Sequence, residues 1–245
     1  MSIETMELIA REAEAHNAAI RHGGFGEPLL HPQITDIVAI CKHRKILTTI
    51  FSNCSFLTKE HMRAFVDLGL DEIRLSSSGI TADEHNTVRN KSNFGRDLEE
   101  KIEMARSIRD QMNSSRPFLT LYTNVLDYGS DIFQENIESY KSRFLPLVDK
   151  IDIDLTMLSR VKHLDQVRDL YERQTINETH KPCLTLFLKI IAHWNGDVFA
   201  CDIAFNFEEE YYLGTLGNEG FTIERGYGTG SVFYASQMHV FGLVI

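Results

Sequence analysis

The chain has 245 residues, a formal net charge of −10 and 43% hydrophobic residues. This length accommodates one large domain, or one domain with a small appendage. The negative charge argues against a nucleic-acid backbone as the main partner, because phosphate binding needs clustered lysines and arginines. No apolar run reaches the ~20 residues of a membrane span, and the N-terminus lacks the apolar stretch of a secretory signal, so we predict a cytoplasmic protein. In that compartment the four cysteines, Cys41, Cys54, Cys183 and Cys201, indicate free or metal-bound thiols rather than disulfides.

Helix-like and strand-like segments alternate through the first 160 residues, which is typical of an α/β fold with a parallel sheet. The predicted helices cover residues 3–16, 34–41, 58–68, 93–112 and 130–144, and the predicted strands cover residues 18–22, 46–52, 70–76, 118–124 and 150–156. The first strand is entered from a helix rather than from another strand. We therefore expect strand 18–22 to form an exposed sheet edge, which is an aggregation hazard, and we expect low solubility.

The pattern changes after residue 160. Residues 161–173 form a polar predicted helix, and residues 174–182 form a turn-rich connection. Residues 183–203 then predict a β-hairpin, because Asn195-Gly196 between two apolar runs is a strong turn signal. We predict no element beyond Asn206.

A glycine-rich loop, GGFGEPLLHP, follows the first predicted strand directly at residues 23–32. Gly24 and Gly26 allow the backbone to approach a ligand closely. Glu27 places a carboxylate at the C-terminal end of a strand, where barrel enzymes hold their sites. Such a loop suits a ligand ammonium group, but a tight turn with a surface glutamate explains the same residues.

This loop resembles the glycine–glutamate–proline loop of radical S-adenosylmethionine (SAM) proteins, which contacts the amino group of SAM. Residues 49–79 are similar to the third strand of that family, its Thr-Asn-Gly turn, the following helix and the fourth strand. Asn53 falls on the family's asparagine, and Cys54 replaces its glycine. Ser76 falls on the serine that approaches the SAM ribose.

The stretch DEHNTVRN at residues 83–90 resembles the family's His-Asp-x-x-Arg-Gly stretch. Arg89 falls on the arginine expected near the SAM carboxylate, a position that suits a bidentate donor. The resemblance thus implies that SAM binds to Gly24, Gly26, Glu27, Asn53, Ser76 and Arg89.

The predicted hairpin supplies a second resemblance. The spacing Cys183-x12-Gly196-x4-Cys201 is similar to the opening of the SPASM pattern, in which two cysteines flank a glycine turn and ligate an auxiliary iron–sulfur cluster. The resemblance implies that Cys183 and Cys201 are metal ligands. The alternative is that both are small core residues.

The chain departs from the family where the radical SAM cluster binds. Family members hold a [4Fe–4S] cluster with a Cys-x3-Cys-x2-Cys loop upstream of the glycine-rich loop, and thiolates bond such clusters directly. This chain has no cysteine before Cys41 and no such triplet. We therefore expect a fragment that is inactive as written, and we assign no catalytic residue.

The expected architecture is a partial (β/α)6 TIM-like barrel that lacks its first strand, followed by a small β-hairpin domain. The expected boundaries are a partial barrel at 1–160, a connecting helix and linker at 161–182, and an incomplete SPASM or twitch-like domain at 183–245. The N-terminus, and the C-terminus as well, are expected to be truncated.

The resemblance implies that the full-length form cleaves SAM reductively to a 5′-deoxyadenosyl radical and modifies a peptide or small-molecule substrate. A flavodoxin or ferredoxin would supply the electron. The alternatives are a non-catalytic barrel that binds SAM or a partner protein, and an unrelated α/β enzyme.

Other polar residues have ordinary interpretations. Cys41 is predicted to pack in the core, and the histidines at 31, 61 and 85 are predicted to serve surface or packing roles. Asp152 and Asp154 alternate along a strand, so one of them can face the barrel interior, but a polar strand end explains both.

Overall fold

The computed structural model describes residues 1–24, 26–81, 84–85, 94–125, 129–155, 189–200, 211–217, 220–223 and 240–243. The α-helices with described bounds are α1 (Ile3–Ala15), α2 (Ile34–His43), α3 (Lys59–Asp67), α4 (Phe94–Gln111) and α5 (Asp131–Phe144). The strands are β1 (Ala19–His22), β2 (Thr48–Ser52), β3 (Glu72–Ser78), β4 (Phe118–Val125), β5 (Lys150–Leu155), β6 (Lys189–Ala192), β7 (Asp197–Phe199), β8 (Tyr212–Gly217), β9 (Gly220–Ile223) and β10 (Val240–Leu243). No helix in these ranges combines the length and the apolar character that a membrane crossing requires.

Hydroxyl side chains cap the N-termini of three of these helices. The hydroxyl groups of Ser2, Thr58 and Ser130 accept hydrogen bonds from the backbone N–H groups three residues later, at 3.1, 3.2 and 3.1 Å. Each bond satisfies one of the N–H groups that a helix N-terminus leaves without an intrahelical partner. The predicted cap at Thr58 is confirmed.

Two strands begin two residues later than predicted, because the chain is still closing the preceding helix. Lys45 and Gly69 adopt positive φ angles of 59° and 69°. The next residues then donate back into the helices, Ile46 to the Cys41 carbonyl at 3.0 Å and Leu70 to the Phe65 carbonyl at 2.9 Å. This is the usual left-handed ending of a helix, and it delays β2 and β3.

In the part of the chain that the structure describes, the sheet has ten strands in the order β5-β4-β3-β2-β1-β10-β6-β7-β8-β9. The pairs from β5 through to β6 are parallel, and the pairs β6–β7, β7–β8 and β8–β9 are antiparallel. The α/β prediction with a parallel sheet is confirmed, and so is the hairpin around Asn195-Gly196. Closure into a barrel stays a prediction.

The expectation that strand 18–22 is an exposed edge is wrong. β10 pairs with β1 in parallel, with Ala19 opposite Val240, and it pairs with β6 on its other side. The C-terminal segment therefore covers the backbone groups that an edge strand would leave unpaired. The sequence predicts no element beyond Asn206, whereas the structure has β8, β9 and β10 there.

The two faces of the parallel strands differ in polarity. One face buries Ile50, Ile73 and Leu121 in a single core together with α1 to α5. The other face carries the partly exposed side chains of Arg74 and Tyr122. The predicted helix at 161–173 and the connection at 174–182 lie outside the described residues.

Candidate functional site

The glycine-rich loop begins where β1 ends and lies directly against β2. Gly23 and Gly24 both have φ of +151°, a conformation that side chains with a Cβ rarely adopt. A Cβ on Gly23 would lie 2.7 Å from the Cβ of Phe51. Sequence reasoning selected Gly24 and Gly26 and did not select Gly23, although its position immediately after the strand was an available signal.

The Glu27 carboxylate fixes this loop to the end of β2. Its Oε1 accepts hydrogen bonds from the Leu29 backbone N–H at 3.1 Å and the Ser52 hydroxyl at 2.6 Å, and its Oε2 accepts from the Asn53 N–H at 2.9 Å. In the described part of the chain, no ion pair within 4.0 Å involves Glu27. Among the described residues, neutral donors therefore hold the carboxylate.

The turn after β2 explains why the resembled family has glycine at position 54. Cys54 has a positive φ of 66°, and it is buried. Two short-range bonds hold the turn: the Cys54 N–H donates to the Ser52 hydroxyl, and the Ser55 N–H donates to the Asn53 side-chain oxygen, both at 2.9 Å. A left-handed conformation there is least costly for glycine.

A cavity of about 350 Å³ opens beside this turn, between β2 and the first turns of α4. Its lining residues are Asn53, Cys54, Ser55, Asp97, Leu98, Glu100 and Lys101. The Lys101 ammonium donates to the Leu57 carbonyl at 2.6 Å, which ties α4 to the loop before α3. The cavity is large enough for part of a small-molecule ligand.

The carboxyl end of β3 lies two strands away from the glycine-rich loop. Ser76, Ser77 and Ser78 are buried there and pair with Tyr122 to Asn124 of β4. The Ser77 hydroxyl and the Ser78 N–H both lie 3.1 Å from Nδ1 of His85. His85 is thus bonded to the strand that carries Ser76, which the prediction of a packing role did not include.

The open face of the sheet carries paired charges. Arg74 forms an ion pair with Asp152, and Lys150 lies 2.7 Å from the same carboxylate. The Tyr122 hydroxyl donates to Asp154 at 3.2 Å. Burial and the Asp154 charge raise the pKa of Tyr122 to about 12. Both aspartates therefore serve in polar pairs on this face.

Phe51 joins the strands of this face. It contacts the Tyr122 ring edge-to-face, with 5.0 Å between the ring centres. The guanidinium groups of Arg21 and Arg74 lie 5.3 and 6.0 Å from its centre, within the range of a cation–π attraction. The open face is consequently ordered by side-chain contacts as well as by the sheet.

His22 and Cys41 form a buried pair behind the loop. The Cys41 sulfur lies 3.8 Å from Nε2 of His22, and both residues are 0% exposed. Complete burial lowers the pKa of His22 to about 3, and burial raises the pKa of the Cys41 thiol to about 12. Both groups are neutral at physiological pH, which agrees with the predicted core role of Cys41.

Three candidate site residues, Arg89, Cys183 and Cys201, lie outside the described residues. Between the two cysteines, β6 and β7 form the antiparallel hairpin, and Gly196 at its turn has φ of +92°. Within the described ranges no group of three potential metal-ligating side chains is present.

Comparison with known proteins adds distant relatives. No family model matches the chain. The uncharacterized protein MJ0804 of Methanocaldococcus jannaschii is 29% identical over 192 residues, which cover 72% of this chain and 66% of that protein. GTP 3′,8-cyclase of Chlorobaculum tepidum is 32% identical over 93 residues, 38% of this chain and 28% of the enzyme.

Among solved structures, the fold is similar to that of SuiB from Streptococcus suis. The TM-score is 0.60 at 15% identity, and the match covers 85% of this chain and 56% of SuiB. Further SuiB structures, bound to S-adenosylmethionine and to the precursor peptide SuiA, match with a TM-score of 0.57. SuiB and the cyclase are radical SAM proteins, so the fold of this chain is one that radical SAM enzymes use. The chain spans about half the length of SuiB.

Proposed function

We propose that this chain forms the SAM-binding part of a radical SAM protein. The observation that carries the proposal is the Glu27 carboxylate, which joins the glycine-rich loop to Ser52 and Asn53 at the carboxyl edge of the parallel sheet. Ligands of α/β proteins bind at this edge. The resemblance to the SAM-contacting loop and the fold shared with SuiB support the same ligand.

Each proposed contact has a defined chemical role. The extended backbone at Gly23 and Gly24 offers carbonyl oxygens to the SAM ammonium group, and the Glu27 charge lies close behind them. Ser76 at the end of β3 offers a hydroxyl group to the ribose. The proposed partner of the SAM carboxylate is Arg89, because a guanidinium can bind both carboxylate oxygens.

Titration of the purified chain with SAM tests this site directly. We expect Glu27→Ala to weaken SAM binding at least tenfold, because the loop loses its three hydrogen bonds to the carboxylate. Glu99→Gln is the matched control, since Glu99 pairs with Arg143 on the helical layer. Equal affinity in the wild type and Glu27→Ala, or no SAM binding by the folded wild-type chain, would contradict the proposal.

The full-length protein is proposed to cleave SAM reductively to a 5′-deoxyadenosyl radical, with an electron from a flavodoxin or ferredoxin. The residues described here do not fit the [4Fe–4S] cluster that this chemistry uses, because the chain lacks the Cys-x3-Cys-x2-Cys triplet. We therefore expect no 5′-deoxyadenosine from this chain after anaerobic treatment with iron, sulfide and dithionite. Its formation, measured by chromatography, would show that the chain binds an active cluster without the triplet.

Cys183 and Cys201 are proposed as ligands of an auxiliary cluster. Support comes from the hairpin between them, whose paired strands β6 and β7 lead away from one tight turn. The double variant Cys183→Ser/Cys201→Ser is expected to lose the iron that the wild-type chain retains after reconstitution. Cys41→Ser is the control, because Cys41 is buried against His22.

We propose a peptide as the first substrate class to test, because SuiB, whose fold the chain shares, was solved with a precursor peptide. A small molecule is the alternative. A non-catalytic SAM-binding barrel is the second candidate function, because the proposed SAM contacts do not themselves require a cluster. The 5′-deoxyadenosine assay on a version extended upstream separates the two functions.

A further inference from the structure

The carboxyl end of β3 extends past its neighbour on one side only. β4 pairs with β3 as far as Ser78, whereas the last pair between β2 and β3 is Ser52 with Leu75. The N–H of Ser78 therefore lies beyond the end of β2. Nδ1 of His85 accepts a hydrogen bond from this N–H at 3.1 Å. The imidazole thus supplies the acceptor that a neighbouring strand would otherwise provide.

This contact defines the state of the imidazole. A backbone N–H can only donate, so Nδ1 of His85 must present its lone pair. His85 is therefore neutral, with its proton on Nε2. The Ser77 hydroxyl lies 3.1 Å from the same nitrogen, and protonation of Nδ1 would place an N–H against the N–H of Ser78.

A closed turn brings His85 back to the strand. The Glu84 carboxylate accepts from the N–H groups of Ile80 and Thr81, at 2.8 and 3.2 Å. The Glu84 N–H donates to the Thr81 hydroxyl at 3.1 Å. Gly79, with φ of +72°, packs so closely that a Cβ there would lie 2.4 Å from the Cβ of Glu84. The turn thus has little freedom, and His85 is 2% exposed.

The titratable neighbours of this turn, among the described residues, are Glu84 on the turn itself and Tyr140 on α5. Tyr140 bonds to Ser77 and Thr123, and burial raises its pKa. Arg143, one turn further along α5, acts on the same phenol electrostatically. The Glu84 carboxylate is bonded to the N–H groups of the turn. The His85 imidazole is the ring that bonds to β3.

We propose that His85 is a positioning residue for the SAM site, whose Nδ1 holds the carboxyl end of β3 in its binding conformation. This inference rests on the proposed function. Ser76, the candidate ribose contact, is two residues before the N–H that bonds to His85. Loss of this hydrogen bond releases this end of the strand and weakens SAM binding.

Titration calorimetry with SAM at pH 7.5 tests the inference with two variants. His85→Phe removes the acceptor and is expected to weaken binding at least tenfold. His85→Asn keeps an acceptor oxygen close to the position of Nδ1, and its affinity is expected to stay within about threefold of the wild type.

Hydrogen exchange of residues 73–80 gives a readout that does not depend on SAM. We expect faster exchange in His85→Phe than in the wild type at pH 7.5, and exchange close to the wild type in His85→Asn. Equal loss of affinity in His85→Phe and His85→Asn would overturn the inference, as would wild-type exchange in His85→Phe. If no form binds SAM, the proposed function fails, and the exchange pattern alone decides whether His85 holds the strand.

Discussion

The two edges of the parallel sheet use carboxylates in different ways. At the amino edge, Asp149 accepts hydrogen bonds from the guanidinium of Arg109 and from the N–H of Leu119. At the carboxyl edge, Glu27 is held by a hydroxyl group and two backbone N–H groups. A cation neutralises the first carboxylate within the protein, whereas the second retains its charge where a ligand can approach.

Asp71 repeats the pattern of the amino edge. It pairs with Lys42 and Arg116 and accepts from the N–H of Thr48 at the start of β2. We infer that an acidic residue beside a strand is structural when a cation of the protein pairs with it, and becomes a candidate for binding when only neutral donors hold it.

Removal of β10 should disturb both the amino and the carboxyl edge of the sheet, because β10 pairs with β1 and joins it to β6. We expect truncation after Met238 to lower the free energy of unfolding by about 4 kcal/mol, since ladder bonds contribute about 1 kcal/mol each, and to promote aggregation. Truncation after Leu243 retains β10 and is the control. Chemical denaturation and light scattering measure both effects. Equal stability of the two truncated chains would show that β10 does not support β1.

Asp149→Asn should destabilise the fold without changing the ligand site. It leaves the buried guanidinium of Arg109 with only the longer contact to Asp110, at 3.6 Å, which costs about 3 kcal/mol in a pair of this kind. Glu138→Gln is the control, because Glu138 forms an exposed pair with Lys141, where we expect about 0.5 kcal/mol. Urea denaturation at pH 7 distinguishes the two variants. A stability loss in Asp149→Asn no greater than in the control would contradict a structural role for this carboxylate.

The ion pair also predicts a pH dependence. Burial opposes the ionisation of Asp149, but the hydrogen bonds from Arg109 and Leu119 outweigh it and lower its pKa. The folded protein therefore holds this proton less tightly than the unfolded chain, so the stability is present above the unfolded pKa and is lost as the pH falls through the folded one. Asp149→Asn should lack this acid-dependent contribution.

Gly23→Ala should affect binding more than stability. The added Cβ meets Phe51 and requires an unfavourable φ, at a cost of about 1–2 kcal/mol. Because the loop must move away from β2, we expect SAM affinity to fall at least tenfold. Gly69 also has a positive φ, of +69°, and nothing lies within 4 Å of an added Cβ, so Gly69→Ala should cost about 1 kcal/mol and bind SAM normally. Calorimetry on both variants would reveal whether strain alone explains the effect.

His22 should have no effect at neutral pH and an effect that grows on acidification. Its pKa is about 3 in the folded protein and near 6.5 when exposed, so the unfolded chain binds the extra proton between these values. Stability then falls as the pH drops below 6.5, by up to ~1.4 kcal/mol per pH unit. His22→Leu should flatten this part of the pH profile in thermal melts. A profile with an unchanged slope would mean that His22 is accessible to protons in the folded state.

The amino-acid sequence by itself determined the local elements. The 3.6-residue and continuous apolar patterns identified α1 to α5 and β1 to β5, because they report which face of a segment is buried. The motif around Glu27 identified the loop, and Asn195-Gly196 identified the hairpin, since turns of this kind depend on their own residues.

Only the tertiary structure decided the features that join distant parts of the chain. Pairing of β10 with β1 depends on strands from opposite ends of the sequence, and the apolar run at 240–243 does not specify its neighbour. The bonds from Ser77 and Ser78 to His85, and the contact of Gly23 with Phe51, depend equally on where two segments meet. Periodicity and motifs describe one segment at a time, whereas the packing of segments against one another determines these contacts.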